Sequence, residues 1–201
     1  MPRLSRAESK HTRGSATGAF TLAAAMAVGT AADASAQTRE GQFISFGLGG
    51  GFDQISCEVC SGTPKSGLAG FVRFGGTVSD RLLLAAEFDA WTKGEEGVRQ
   101  ILGSLTAVAL LYADPEARVH VKLGAGAVGY RASEDGDDLT ALTPGVIAGL
   151  GYDYPIGETL SLSPFANLVV APFATLKADG DPAVSGATLA MLTGGLSLTW
   201  H

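Results

Sequence analysis

Large apolar side chains recur on every second residue over most of this chain, with Gly, Ala, Ser, Thr or Asn between them. In the last segment Leu192, Leu196, Leu198 and Trp200 fall on one face, and Thr193, Gly195, Ser197 and Thr199 on the other. A period of two is the signature of a β-strand, whose successive side chains point to opposite faces. Alternation bounded by turn residues predicts eight strands, near 42–53, 67–79, 81–93, 98–112, 117–131, 140–154, 159–172 and 186–200. The predicted links alternate in length. Short ones fall at Ser79-Asp80, Asp114-Pro115-Glu116 and Pro155-Ile156-Gly157-Glu158, and long ones run through Ser56 to Ser66, Lys93 to Gly97, Ala132 to Asp138 and Ala174 to Gly186. Short turns at one end, longer loops at the other and an even strand count from about eight upward are the plan of a transmembrane barrel.

In such a barrel the apolar face looks out at acyl chains and the polar face into the lumen, the reverse of a water-soluble sandwich. The outward sets begin with Ile44, Phe46, Leu48 and Phe52, then Leu68, Val72, Phe74 and Val78, then Leu82, Leu84, Ala86 and Phe88. They continue with Val119, Val121, Leu123 and Ala125, with Leu142, Val146, Leu150, Tyr152 and Tyr154, and with Leu160, Leu162, Leu168 and Val170. The fourth strand is apolar on both faces. Placing Ile101, Leu105, Ala107 and Leu111 outward puts Gln100, Ser104 and Thr106 inside. Tyr152, Tyr154 and Trp200 share one depth near the short-turn rim, where amphipathic rings sit at headgroup level. Pro144 and Pro164 lack an N–H inside predicted strands, so each is expected to mark a bulge or a strand end.

The N-terminus supplies the setting. Arg3, Arg6, Lys10 and Arg13 precede an apolar stretch from Ala19 to Val28, followed by Ala34-Ser35-Ala36 before Gln37. This is the order of a cleavable secretory signal peptide over residues 1–36, and the apolar stretch is shorter than the ~20 residues of a membrane-spanning helix. Residues 37–201 then form a single barrel domain. Removing a leader with four basic and two acidic residues moves the formal net charge from −6 to −8. An acidic chain without a Lys/Arg cluster excludes nucleic acid as the expected partner. Hydrophobic content of 46% and a mean hydropathy of +0.22 suit a membrane protein that crosses with strands.

With the apolar face outside, the lumen receives Arg73, Glu87, Asp89, His120, Lys122 and Asp153. A tight connection between the second and third strands sets Arg73 opposite Glu87 and predicts an internal ion pair. Charges in a narrow lumen must pair or stay hydrated, because a buried charge without its partner is costly. They are expected to plug the barrel. The spacing of His120 and Lys122 yields no Ser/His/Asp order, paired-carboxylate signature or metal-binding His cluster, so neither catalysis nor a cofactor or metal is expected. Cys57 and Cys60, the two cysteines of an exported chain, are expected to form a local disulfide in the first long loop. Acidic residues gather around the predicted long loops: Asp53 and Glu58, Glu95 and Glu96, Glu134, Asp135, Asp137 and Asp138, and Asp179 and Asp181. Solvated loops account for them. The run from Glu134 to Asp138 lacks the length and closing Glu of an EF-hand loop.

With this leader, strand count and loop rhythm, and with the closing Gly194-Gly195-Leu196-Ser197-Leu198-Thr199-Trp200, the chain resembles the small outer-membrane β-barrels of the OmpA/OmpX-like kind over about Gln42 to Trp200. In place of the usual final aromatic, His201 follows Trp200. The resemblance implies an all-β fold, a single eight-stranded antiparallel up-and-down barrel. It implies a place in the outer membrane of a Gram-negative envelope, with lipid around it. The last strand, ending at Trp200, is implied to be read by the barrel-assembly machinery. The expected function is non-enzymatic: a closed polar lumen and exposed acidic loops, serving envelope structure or surface interaction with an unidentified extracellular partner. Two alternatives are a narrow channel for small solutes or ions and a soluble periplasmic, lipocalin-like barrel that binds lipid. The last requires the large apolar positions to converge inward.

Overall fold

A computed structural model describes residues 41–57, 60, 62–95, 97–134 and 137–201. The expected signal peptide, and Glu58, Glu96 and Asp135 of the acidic loops, lie outside the described residues. Among the described residues nine antiparallel strands follow one another: β1 Gln42–Ser56, β2 Lys65–Ser79, β3 Leu82–Glu95, β4 Val98–Tyr112, β5 Val119–Glu134, β6 Asp137–Tyr152, β7 Tyr154–Pro155, β8 Leu160–Ala178 and β9 Asp181–Trp200. The two-residue β7 pairs with β8 in the register that β6 has just left, Gly151 opposite Phe165 and then Tyr154 opposite Leu162. It therefore prolongs β6 beyond a break at Asp153, and nine strands make eight staves.

The sheet closes on itself. Its order runs from β6 back through β1, then to β9, β8 and β7, and β6 also pairs with β8. Stepping across paired neighbours from Phe52 through Leu192, Leu168, Ala148, Leu123, Ala109, Leu84 and Gly76 returns to β1 at Gln42, and 52 − 42 = 10 residues is the stagger of the closed sheet. Such a stagger goes with strands tilted ~35–45° to the axis, and eight strands leave an interior that side chains can fill.

Period-two alternation decides which face looks where. Leu48 is 72% exposed, and Phe46, Phe52, Leu68, Phe74, Leu84, Phe88, Leu105, Leu123, Leu142, Leu150 and Leu196 join it in an apolar outer band. Arg73, Glu87, Asp89, Lys122, Asn167 and Ser45 lie on the buried inner face. This inversion is the arrangement of a barrel in lipid. It is the opposite of what a soluble lipid-binding barrel requires.

Strand lengths depart from the sequence reading at one end. Three of the predicted long loops are mostly strand: β3 and β4, β5 and β6, and β8 and β9 extend toward each other until two residues separate each pair. The described residues between β1 and β2, 57, 60 and 62–64, belong to no strand. Strands of 19 and 20 residues, as in β8 and β9, exceed the ~9–11 needed to cross a bilayer. The hairpins therefore stand beyond the membrane at the end opposite the termini, here the hairpin end.

The wall has one irregular seam. Pairing of β6 with β8 runs from Gly151 to Val146, stops, and resumes one register step away at Thr140 opposite Lys177. Pro144 lies in the gap, while its pairing with β5 is continuous. The missing donor thus sits where a ladder is already interrupted. Across the gap Phe173 takes a left-handed backbone (φ 62°) and is 83% exposed. The inner face of β8 switches there from odd positions such as Val169 and Ala171 to the even positions Ala174 and Leu176. This is the work of a bulge. Pro164 behaves differently: its register with β9 is regular, and it lies where the other neighbour passes from β6 to β7. Hydrogen exchange on the folded barrel in detergent should find the amides of Leu142 and of 173–175 exchanging at least about tenfold faster than those of the unbroken β4–β5 ladder. Uniform protection around the wall would refute an open seam.

Candidate functional site

The inner faces of adjacent strands bring the ionisable side chains into one layer. Arg73 of β2 and Glu87 of β3 are register partners, and Arg73 Nε donates to one oxygen of the fully buried Glu87 carboxylate. Lys122, reaching across from β5, donates from Nζ to the other oxygen. Asp89 lies two residues beyond Glu87 on the same face. It accepts from Ser104 Oγ at 3.4 Å and from Asn167 Nδ2 at 3.4 Å. The Arg73 guanidinium stands 4.6 Å from the Phe71 ring centroid and Lys122 Nζ 5.5 Å from it, distances at which an aromatic face attracts a cation. Phe71 in turn meets Phe165 edge-on at 4.9 Å. Its ring is admitted by Gly47, where a Cβ would lie 2.2 Å from a ring carbon. Two cations thus converge on the Glu87 carboxylate, with the Asp89 carboxyl beside it, on the buried inner face.

His120 and Asp153 form a second group nearer the termini. Asp153 occupies the break between β6 and β7, held by its N–H donating to Arg118 O at 2.8 Å. Its two oxygens accept from Tyr112 Oη and Ser163 Oγ, each at 2.7 Å. His120 Nδ1 is 3.6 Å from Asp153 Oδ2, beyond hydrogen-bond reach. The void between these residues, Arg73 and Lys122 has a volume of about 10 Å³, about the room one water needs. The six candidate lumen residues therefore divide into an ionic layer and an Asp-centred polar cluster. Ser104, which completes the first, was placed inside by its parity; Tyr112, Ser163 and Asn167 were missed by sequence reasoning. Only their inward parity could have marked them.

Above the ionic layer, toward the hairpin end, the lumen is apolar. Trp91, Leu102, Val128, Ile147, Leu189 and Met191 are fully buried there, and Trp91 Nε1 donates to Gly51 O at 3.2 Å. A closed polar lumen was expected; the ionic layer fits it, and these apolar residues add a second zone. They share inward parity with the polar set, but in β4 both faces are apolar, so composition hid them.

At the hairpin-end mouth the lumen widens into an open cavity of about 220 Å³ lined by Asp53, Gln100, Tyr130, Ile55, Leu139 and Leu176, with Lys65 and Cys60 at its edge. Asp53, grouped with the loop acids from sequence, is instead an inner-face residue of β1, 2% exposed. Cys57 and Cys60 form a disulfide with Cα atoms 5.0 Å apart. On the outer rim Arg131 grips Asp138 with Nη2 at 2.7 Å and Nε at 3.3 Å, and Ser133 Oγ donates to the same carboxylate. The Ser133 hydroxyl and the Arg131 guanidinium hold the Asp138 carboxyl below its ordinary range. Asp179 closes the rim, its N–H donating to Asp138 O at 2.9 Å. At the opposite end Tyr152, Tyr154 and Trp200 point outward, Trp200 meeting Phe46 edge-on at 6.2 Å.

Glu87→Gln leaves Arg73 and Lys122 facing a neutral amide. Breaking a buried charge pair costs about 3–5 kcal/mol, whereas Ser104→Ala removes one long contact worth about 1 kcal/mol. The temperature at which the folded form loses its distinct gel mobility should therefore fall far more for the first variant. Equal falls would show that the ionic layer is not what holds the lumen together.

The sequence matches no family model and no curated protein. Among solved structures it is similar to Neisserial surface protein A, with 16% identity over 80% of this chain and 97% of that one, at a TM-score of 0.56. It is also similar to Ail, the attachment invasion locus protein of Yersinia pestis, with 12% identity over 80% of this chain and 99% of that one, at a TM-score of 0.53. A closed eight-stave antiparallel wall, apolar outside and polar at its centre, belongs with these chains: the protein has the fold of the small outer-membrane β-barrels.

Proposed function

We propose that this chain is a non-enzymatic outer-membrane β-barrel whose hairpin end faces the cell surface and whose closed lumen serves stability rather than transport. The observation that carries this reading is the lumen itself. Glu87 joins Arg73 and Lys122 across the barrel axis, the adjoining void is about 10 Å³, and Trp91 and Leu102 fill the next layer. A solute path would require all of these to move.

The outward apolar band supports the lipid setting, and Tyr152, Tyr154 and Trp200 supply the girdle at the terminal end. The last strand, β9, closes the sheet against β1 with Trp200 opposite Ile44, the position from which the barrel-assembly machinery would read it. The protruding hairpins and acidic rim suit envelope structure or surface contact. Two proteins of this fold are named a surface protein and an attachment invasion locus protein. Around His120 the 10 Å³ void offers no room for a substrate.

Two measurements test this. Folded protein in planar lipid bilayers should give no discrete conductance steps; steps that vanish on heat unfolding would favour a channel. Folded protein in phospholipid and lipopolysaccharide vesicles should leave the lipids unchanged by mass spectrometry. A cleaved or transferred acyl chain that disappears in His120→Ala would overturn the non-enzymatic reading.

A further inference from the structure

The hairpin-end cavity holds a carboxylate unlike the others in the lumen. Glu87, Asp89 and Asp153 each accept hydrogen bonds from two side chains. Asp53 is buried to 2% exposure, yet among the described residues its Oδ1 has no hydrogen-bond partner. An unsatisfied charged oxygen out of water is costly, and it persists here beside an open cavity of about 220 Å³. Lys65, its register partner across β1 and β2, lines the same cavity. The Tyr130 hydroxyl and the Gln100 amide add polar acceptors, while Ile55, Leu139 and Leu176 make an apolar wall opposite.

We propose that this cavity binds a small organic ammonium, with the cationic nitrogen on Asp53 and its hydrocarbon body against Ile55, Leu139 and Leu176. One carboxylate is the match for one ammonium. A calcium ion takes about six to eight oxygens, and among the described residues no group of three or more His, Cys, Asp or Glu converges to hold a metal. A wholly apolar ligand would leave Asp53 unsatisfied, and an anion would face it directly. The cavity volume admits a body of roughly five to ten heavy atoms, since pockets enclose most but not all of their volume in ligand. The cavity is open at the hairpin end, and Trp91 and Leu102 of the same lumen are fully buried, so the ligand reaches Asp53 from the open mouth. This is recognition at a mouth.

The proposal adds a ligand to the surface-contact reading and rests on it only for which side of the membrane the cavity faces. Protein in detergent exposes both sides, so the two can fail separately. Cyclohexylammonium is the probe and cyclohexanol its neutral counterpart of similar shape. Titrated into the folded full chain in micelles, the ammonium should shift backbone resonances of Ile55, Gln100, Tyr130 and Leu176 to saturation in the millimolar range. Cyclohexanol should not saturate them, and Asp53→Asn should weaken the ammonium at least about tenfold. Leu176→Trp, which fills the cavity and leaves Asp53 in place, should abolish binding too and serves if Asp53→Asn does not fold. Equal shifts from both probes, undiminished shifts in either variant, or shifts confined to the outward belt at Leu48 and Leu142 would overturn the proposal.

Discussion

In a bilayer every backbone N–H and C=O must find its partner within the protein, because acyl chains offer none. Closure of the β-ladder meets that demand here. The ten-residue stagger, read from Phe52 round to Gln42, fixes the tilt and the bore, and the bore decides what the inward residues can be. With eight staves there is room for side chains but not for a water column. Any charge placed inside must therefore be answered by another side chain. The Arg73, Lys122, Glu87 and Asp89 layer is what that constraint allows: equal numbers of each sign, donors fitted to carboxylate oxygens, and Phe71 beneath the cations. Fit to the ring is secured by glycine at position 47, where a larger residue would collide with Phe71.

The same constraint makes the seam between β6 and β8 intelligible. A proline inside a closed barrel removes a donor from a ladder that has no free edge. Pro144 is accommodated by letting the β6–β8 pairing lapse between Val146 and Thr140 and shifting it by one residue. The bulge at Phe173 returns β8 to an inward parity that can bury Ala174 and Leu176. The rim above is then re-tied by Leu139 with Ala178 and by Asp179 to Asp138. The irregularity is bounded on both sides, so closure survives it.

Much of this was legible in the chain, and the reason is local. Parity alone assigns the outer face, so Phe46, Leu48, Leu142 and Leu196 fall where alternation puts them. Arg73 opposite Glu87 follows from a tight turn between neighbouring strands. Lys122 on Glu87 does not, because those residues are two staves apart and meet only when curvature brings β5 toward β3. Strand ends at the hairpin side were misjudged because polar, turn-rich residues there read as loop, whereas paired hairpins continue past the membrane without needing an apolar face. The parity change at Phe173 and Pro172 was invisible, since a bulge shifts every later residue to the opposite face without changing composition. Asp53 was grouped with loop acids for the same reason: its neighbours in sequence are loop-like, and only the register of β1 turns it inward.

Depth within the lumen orders the chemistry. Near the termini Asp153 is saturated by Tyr112 and Ser163; in the middle Glu87 is saturated by two cations; above them Trp91, Leu102 and Met191 exclude water. Fully enclosed carboxylates are thus fully partnered, as the cost of an unanswered charge in a low dielectric demands. Asp53 departs from this rule at the level of Met191, its register partner, where the cavity opens to solvent. There a missing protein donor can be replaced by water or by a ligand. If that cavity were closed, the acid would have to be partnered from within. Its place on the wall of an open cavity is therefore what separates a structural carboxylate from one available to bind.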